Sequence, residues 1–262
     1  MMKNNVRPSK NIPHLVYVGT YTTKGSEGIY IYQLDPSSGA LTPLGKATGI
    51  DNPSFLAIHP NQRYLYAINE VHQPEGAVSA FTIDAKTGAL THLNTQPSHG
   101  TSPCHVCIDQ TGHVAIVTNY SSGSVAAYPI QADGTLGEAS DVIQHQGSSI
   151  HPQRQSGPHA HSATIAPDNH YVFVADLGLD KMMIYQLDPA SGKLQPNPKM
   201  PWAQTKAGAG PRHFTFHPNG THAYVINELN STVTVFEYNA AWGTLKTQQI
   251  VSTLPVGYQG QN

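Results

Sequence analysis

Four internal copies of one strand pattern, separated by turn-forming residues, predict an all-β fold of the β-propeller class. Each copy has two strands around a tight turn and ends at Asn69, Asn119, Asp176 or Asn227, which lie 50, 57 and 51 residues apart. A third strand, a Gly-x-Leu turn and a short fourth strand complete the unit, and the turns contain Gly39, Gly88, Gly134, Gly192 and Gly243. Four short strands in a unit of about 50 residues are typical of a propeller blade. A β-sandwich, the alternative, does not require such regular copies.

The first unit is incomplete. Leu15–Tyr21 matches a second strand and Gly28–Leu34 matches a third, so the innermost strand is missing. In closed propellers the other end of the chain commonly supplies that strand, but no strand-like pattern follows Leu254. We therefore expect a disordered segment at residues 1–13 and an incomplete β-propeller at residues 14–262, with about five blades represented. Either the propeller is truncated or five blades close in an unusual way.

The four complete units follow in order. Their first two strands are predicted at Phe55–Pro60 and Tyr64–Asn69, at His105–Asp109 and His113–Asn119, at Ser162–Pro167 and Tyr171–Asp176, and within Gly210–Glu228. Third strands are predicted at Val78–Ile83, Met182–Leu187 and Thr232–Phe236. β-Branched and aromatic residues fill these segments, and Gly, Pro, Asn and Asp separate them. His59 and His217, each followed by a proline, are predicted turn residues far from the opposite rim.

Composition favours a soluble protein that acts on small molecules. The 262 residues carry 14 basic and 16 acidic side chains, evenly scattered, for a net charge of −2. No basic stripe indicates nucleic acid or an acidic membrane as a partner. No apolar run is long enough to span a membrane, and Met1–Lys10 is polar, which predicts a cytoplasmic location. Cys104 and Cys107 are three residues apart and would face opposite sides of a strand, so we expect buried free thiols rather than a disulfide or a zinc site.

One hairpin combines the repeat with two opposite charges. If Gly220 is its centre, Arg212 and Glu228 lie eight residues on either side and face each other at the open end. The repeat offsets carry these two positions back to Ser54 and Glu70, to Cys104 and Tyr120, and to His161 and Leu177. The last copy alone has the Arg/Glu pair. A ligand site at the central mouth of a propeller takes different side chains from each blade, so the variation favours a site. The alternative is an ion pair that stabilises the rim by roughly 0.2–1 kcal/mol.

Several motifs resemble those of the propeller-type 6-phosphogluconolactonases. They are Val18-Gly19-Thr20-Tyr21, Pro158-His159-Ala160-His161-Ser162, Gly210-Pro211-Arg212-His213, Phe216-His217-Pro218-Asn219 and Asn227-Glu228-Leu229. The resemblance covers nearly every residue after His14. It implies a seven-bladed fold, of which this sequence lacks roughly the last two blades and the closing strand. Relatives of the family include a fungal enzyme that interconverts carboxymuconate and its lactone.

The resemblance also implies the active-site groups. These are a histidine of the Pro-His-x-His segment, Arg212, Glu228 and a second arginine from a later blade, to which no position here corresponds. Hydrolysis of a cyclic ester requires an activated water and a donor for the developing oxyanion. His161 or Glu228 would be the base, and Arg212 would bind the oxyanion or the substrate phosphate. We assign His161, Arg212 and Glu228 to catalysis, and His159, His213 and Glu70 to substrate binding.

The alternatives for these residues stay open at this point. His159 and His161 are two apart, a spacing that suits a metal, but no third ligand is evident, so neither metal nor cofactor is expected. Glu70 lacks an opposing arginine and either lines the mouth or is merely solvated. The sequence contains no phosphate-binding glycine loop and no nucleophile elbow.

The expected function is hydrolysis of 6-phospho-D-glucono-1,5-lactone to 6-phosphogluconate in the pentose phosphate pathway. One alternative is a cyclase or lactonase that acts on a carboxymuconate-like substrate, which would also place carboxylates against Arg212. The other is a non-catalytic propeller that binds proteins. Open propeller edges would also favour self-association.

Overall fold

The computed structural model describes residues 14–259, and its strands form five antiparallel sheets, which we number as blades 1 to 5. Blade 1 consists of β1 (His14–Val18), β2 (Ile29–Leu34) and β3 (Leu41–Ala47). Blade 2 consists of β4 (Leu56–Ile58), β5 (Tyr64–Asn69), β6 (Ala77–Ile83) and β7 (Leu90–Pro97). Blade 3 consists of β8 (Pro103–Ile108), β9 (Val114–Asn119), β10 (Ser124–Pro129) and β11 (Asp141–Gln144).

The last two blades repeat the same order. Blade 4 consists of β12 (Ala160–Ile165), β13 (Tyr171–Asp176), β14 (Lys181–Asp188) and β15 (Lys193–Pro196), and β16 (Trp202–Gln204) also pairs with β14. Blade 5 consists of β17 (Pro211–Phe216), β18 (His222–Asn227), β19 (Thr232–Asn239) and β20 (Thr244–Ser252). The predicted all-β class and the repeat unit are confirmed. The disordered segment expected at residues 1–13 lies outside the described residues.

The second strand of each complete blade ends at the residue that marks the sequence repeat, Asn69, Asn119, Asp176 or Asn227. The Gly-x-Leu turns are confirmed too, because all five glycines adopt the left-handed backbone conformation that glycine tolerates best. Blade 1 contains three strands in the described part of the chain, without the innermost strand, as the sequence predicts.

The blades stack face to face, and an apolar layer lies between each consecutive pair. Alternate residues of a second strand point to opposite faces, so Leu65 packs toward blade 1 while Tyr66 packs toward blade 3. In blade 4, Val172 packs toward blade 3 and Phe173 toward blade 5. Sheets buried on both faces explain the near-continuous apolar second strands and exclude a two-layer sandwich.

The innermost strands place the site. β4, β8, β12 and β17 follow one another and contact their neighbours across the blade boundaries. They start on the side where the second strands end, so the first residues of four blades converge there. Among the described residues, no helix is long and apolar enough to cross a membrane.

Candidate functional site

A cavity of about 470 Å³ lies where these strand ends converge. Its lining comprises Tyr21, Ser54, Phe55, Glu70, Cys104, Tyr120, Arg154, His161, Arg212, His213 and Glu228. Seven of the eight rim positions that the repeat offsets predict are in this set. The eighth, Leu177, is fully buried instead. The repeats therefore locate the cavity as well as the fold.

A β-bulge turns the first-strand side chain into the cavity in three successive blades. The pairing register shifts between Pro103 and His105, between Ala160 and Ser162, and between Pro211 and His213. The residues at these shifts are Cys104, His161 and Arg212. A bulge adds one unpaired residue to a strand and changes the direction in which its side chain points. Each blade therefore adds one side chain to the same mouth.

The bulge also corrects the predicted register of the last hairpin. His213 pairs with Ile226 and Pro211 with Asn227, so Arg212 is not directly opposite Glu228. The Glu228 N–H instead donates to the Gly210 carbonyl oxygen at 2.8 Å. The side chains still meet, because Arg212 Nε donates to Glu228 Oε2 at 2.9 Å. The predicted contact between the Arg212 and Glu228 side chains is present, although the backbone pairing of the two strands differs from the predicted register.

A second arginine, Arg154, reaches the same carboxylate, and it is not among the site residues predicted from the sequence. Arg154 Nη2 donates to Glu228 Oε1 at 2.5 Å and to the Tyr120 hydroxyl at 3.1 Å. It lies in the connection between β11 and β12, not in a later blade. One feature of the sequence could have indicated this loop. The repeat spacing from Asn119 to Asp176 is 57 residues, whereas the other two repeat spacings are 50 and 51 residues. The extra length forms the loop that carries Arg154.

The two arginines fix the ionisation of Glu228. Burial alone would raise the pKa of Glu228, but the hydrogen bond from Arg154 and the charges of Arg154 and Arg212 outweigh it, so the pKa is lowered. The hydrogen bonds from Arg154 to Glu228 and Tyr120 in turn raise the pKa of Arg154. Both carboxylate oxygens are occupied by guanidinium groups. One carboxylate therefore holds two cations side by side at the cavity wall.

Three histidines from adjacent blades form an aromatic cluster with Phe55. The rings of His105 and His161 lie 5.7 and 5.2 Å from that of His213, and Phe55 lies 4.2 Å from His105. Burial, with Arg212 and His213 nearby, lowers the pKa of His161 to about 3. Burial, with His213 and His161 nearby, lowers the pKa of His105 to about 3. Burial and the charge of Arg212 also lower the pKa of His213. Neutral imidazoles therefore border the cationic wall.

The cavity does not contain both histidines of the Pro-His-x-His segment. His161 lines it, whereas His159 stacks on the Tyr120 ring at 4.5 Å, and its Nδ1 lies 2.9 Å from the Tyr120 carbonyl oxygen. His161 Nδ1 is buried and has no hydrogen-bond partner in the described part of the chain. His159 supports Tyr120, and through Tyr120 it supports Arg154.

Glu70 lines the cavity, which decides between its two predicted environments. The Tyr21 hydroxyl donates to Glu70 Oε2 at 2.8 Å, and Ser54 Oγ donates to the same oxygen at 2.5 Å. Burial and the bond to Glu70 raise the pKa of Tyr21. Glu70 thus lies on the cavity wall contributed by blades 1 and 2, where it is bound by Tyr21 and Ser54.

The two cysteines are free thiols, as predicted, but each is partly exposed and not fully buried. Burial raises the pKa of each to about 12, so neither is a reactive thiolate. Between residues 14 and 259, no group of three or more His, Cys, Asp and Glu side chains is arranged to hold a metal ion. His59 and His217 lie in the turns after β4 and β17, as predicted, at the opposite ends of the strands.

A larger groove, of about 650 Å³, lies between blades 4 and 5 at those opposite ends. Its lining includes Asp168, Asp188 and Lys193, with the turn residues Ala240 and Ala241. Asp188 already accepts hydrogen bonds from its own turn. The groove has no arginine pair and no buried histidine, so the smaller cavity is the better candidate for chemistry.

Comparisons with known proteins identify the family of the chain. Residues 15–262 match the model of the lactonase family with a seven-bladed β-propeller. The chain is 40% identical over 242 residues to 6-phosphogluconolactonase of Bacillus subtilis, covering 92% of this chain and 67% of that protein. It is 33% identical over 223 residues to 6-phosphogluconolactonase of Formosa agariphila, covering 84% and 63%.

A solved structure shows the same fold. The periplasmic gluconolactonase of Pseudomonas aeruginosa superposes with a TM-score of 0.88 at 36% identity, covering 94% of this chain and 70% of that one. The family match spans nearly the whole sequence, and these relatives exceed 30% identity over most of it. The chain belongs to the lactonase family of seven-bladed β-propellers.

Proposed function

We propose that this chain hydrolyses 6-phospho-D-glucono-1,5-lactone to 6-phosphogluconate at the cavity that contains Arg154, Arg212 and Glu228. The observation that carries the proposal is the pair of arginines on one carboxylate beside a neutral histidine. Two guanidinium groups suit an anionic substrate, since each can bind a phosphate or an oxyanion through two parallel donors. The relatives named 6-phosphogluconolactonase support the phosphorylated lactone as the substrate.

His161 is the proposed base. Both oxygens of Glu228 are occupied by Arg154 and Arg212, whereas His161 is neutral and lines the cavity. The imidazole accepts a proton as water attacks the lactone carbonyl carbon. The tetrahedral intermediate then collapses, the ring C–O bond breaks, and the departing alkoxide takes the proton back from the imidazolium. The product is the hydroxy acid, with the added water divided between its carboxyl and hydroxyl groups.

Arg212 and Arg154 have separate roles in this proposal. Arg212 is the arginine whose charge lowers the pKa of His161, so it is the one suited to stabilise the oxyanion that forms as water attacks. Arg154, which the Tyr120 hydroxyl also contacts, is then available to hold the phosphate. A bound phosphate offsets part of the arginine charge and so makes His161 a stronger base. His213 and Glu70 complete the substrate-facing wall.

The test is hydrolysis of freshly prepared 6-phosphogluconolactone in a pH-stat, with the spontaneous rate subtracted. Arg212→Ala should reduce kcat by roughly 10²-fold or more, as expected for the loss of an oxyanion donor. Glu228→Gln should reduce kcat/KM because it releases both arginines. Arg63→Ala, an arginine in the turn after β4, is the matched control and should leave the rate unchanged. A folded chain that never exceeds the spontaneous rate contradicts the proposal.

The same assay separates the alternatives. A carboxymuconate-like lactone would place carboxylates against the same arginines, so its kcat/KM is compared directly with that of the phosphorylated sugar lactone. A non-catalytic propeller would bind its partner equally well after Arg212→Ala. A phosphorylated substrate does not cross membranes unaided, which supports a cytoplasmic location in the pentose phosphate pathway. Cell fractionation tests it, because the Pseudomonas aeruginosa relative is periplasmic.

A further inference from the structure

Asp180, outside the cavity, joins the two segments that carry the arginines. It lies in the turn between β13 and β14 and is fully buried. Ser149 Oγ donates to its Oδ2 at 2.5 Å, and the Gly208 N–H donates to the same oxygen at 2.7 Å. The Gly210 N–H donates to Oδ1 at 2.7 Å. No basic side chain among the described residues forms an ion pair with it, so these donors are what balances a buried carboxylate.

One donor belongs to the Arg154 loop, which we define as residues 149–155. The loop is closed by a hydrogen bond from the Ser149 N–H to the Gln155 carbonyl oxygen at 2.9 Å. The buried Gln155 side chain donates to the Leu177 carbonyl oxygen at 2.8 Å. The Arg154 N–H donates to His151 Nδ1 at 3.1 Å within the same loop. The loop is thus a compact unit, anchored to blade 4 at Ser149 and Gln155.

The other donors precede the Arg212 bulge. Gly210 is two residues before Arg212, and its carbonyl oxygen accepts the Glu228 N–H. Gly210 has a φ of +64°, and a Cβ there would lie 2.6 Å from Leu229 Cγ, so the backbone has little freedom to move. Asp180 therefore accepts a hydrogen bond directly from each of the two segments. One segment carries Arg154, and the other carries Arg212 and contacts Glu228.

We propose that Asp180 is a positioning residue that fixes the Arg154 loop relative to Arg212, and thereby sets selectivity for phosphorylated over unphosphorylated lactones. This inference rests on the proposed function. A phosphorylated lactone whose phosphate is held by Arg154 and whose carbonyl oxygen is held by Arg212 requires a fixed separation of the two guanidinium groups. The unphosphorylated lactone, which reacts at Arg212 and His161, does not require Arg154. A shift of the Arg154 loop should therefore weaken the binding of the phosphorylated substrate more than the binding of glucono-1,5-lactone.

The experiment compares kcat and KM for 6-phosphogluconolactone and glucono-1,5-lactone in Asp180→Asn and Ser149→Ala. Asparagine keeps the shape of the side chain but replaces one acceptor oxygen with an amide N–H₂ group, which cannot accept the hydrogen bonds that Ser149, Gly208 and Gly210 donate. We expect the ratio of the two kcat/KM values to fall roughly tenfold or more in Asp180→Asn, mainly through KM, since displacements near 1 Å have large effects on positioned groups. Ser149→Ala should lower the ratio in the same direction by a smaller factor. Asp188→Asn, an exposed turn aspartate at the far end of β14, should leave the ratio unchanged.

A merely structural role would lower both activities together and leave the ratio unchanged, which would overturn the proposal. If Asp180→Asn does not fold, the Ser149→Ala variant decides the matter by itself, and an unchanged ratio of the two kcat/KM values in that variant overturns the proposal. If the unaltered chain hydrolyses neither lactone, the proposed function fails, and calorimetric binding of 6-phosphogluconate against gluconate decides the role of Asp180 by the same ratio. A preference for 6-phosphogluconate that persists unchanged in both variants would then refute the role of Asp180.

Discussion

The roles proposed for Glu228 and His161 follow from the hydrogen bonds that each side chain already makes. Two arginines occupy Glu228, which suits it to orient cations, whereas His161 is neutral and faces the cavity. We expect His161→Gln to reduce kcat by about 10²-fold, the lower range for a lost general base. KM and the melting temperature should change little. Initial rates in the pH-stat, with thermal melting followed by circular dichroism, measure both.

His159→Gln is the matched control, because it removes the ring that stacks on Tyr120 and leaves His161 in place. It should raise KM more than it lowers kcat, because Tyr120, and with it Arg154, would be held less firmly in position. Equal losses of kcat in the two variants would show that the segment is needed for structure and that His161 has no special role as a base.

Single positions show how far the repeats alone could predict the site. Ser54, Glu70, Cys104 and Tyr120 were found by offset, because one backbone position recurs in every blade. Arg154 has no counterpart in the other blades, and offsets cannot find a residue that occurs once. Its contact with Glu228 depends on the fold of the Arg154 loop, which no periodic pattern encodes.

Strands were predicted well and their register less well, for a physical reason. Alternating apolar faces fix where a strand runs, and the observed second strands end at the predicted residues. A bulge leaves no periodic signal in the sequence, so the symmetric hairpin centred on Gly220 gave the wrong backbone register for Arg212, although its side chain does contact Glu228. The bulges are the features that aim the functional side chains.

Gly210 tests the bulge in the innermost strand of blade 5. Its φ is +64° and a Cβ would lie 2.6 Å from Leu229 Cγ, whereas Gly220 has a φ of +70° and open space around a Cβ. Gly220→Ala should therefore cost only the conformational strain, about 1–2 kcal/mol of unfolding free energy. Gly210→Ala should cost about 1–3 kcal/mol more, because the added methyl group overpacks the strand.

Urea unfolding measures the stabilities and the pH-stat measures lactone hydrolysis. Gly210→Ala should also lose activity, since Gly210 immediately precedes the segment that carries Arg212, while Gly220→Ala should keep it. Equal costs in the two variants, with activity retained in both, would contradict the view that the bulge is held in place by close packing.

The stacked blades bury neutral histidines where their innermost strands meet, and this links the stability of the fold to pH. Burial lowers the pKa of both His105 and His161 to about 3, below the ordinary value of 6.5 for an exposed histidine. Between pH 6.5 and 3 the unfolded chain binds protons at these positions and the folded chain does not. Stability is therefore fully present above pH 6.5 and falls as the pH decreases.

The expected slope is about 1.4 kcal/mol of unfolding free energy per pH unit for each such histidine, well below pH 6.5. His105→Gln removes one titrating group from the centre of the stack, so the slope between pH 6 and 4 should decrease by about that amount. His170→Gln replaces an exposed histidine and should leave the slope unchanged. Urea unfolding at half-unit pH intervals measures all three chains. An unchanged slope in His105→Gln would mean that His105 is protonated in the folded chain, and that the meeting point of the blades admits charge and water.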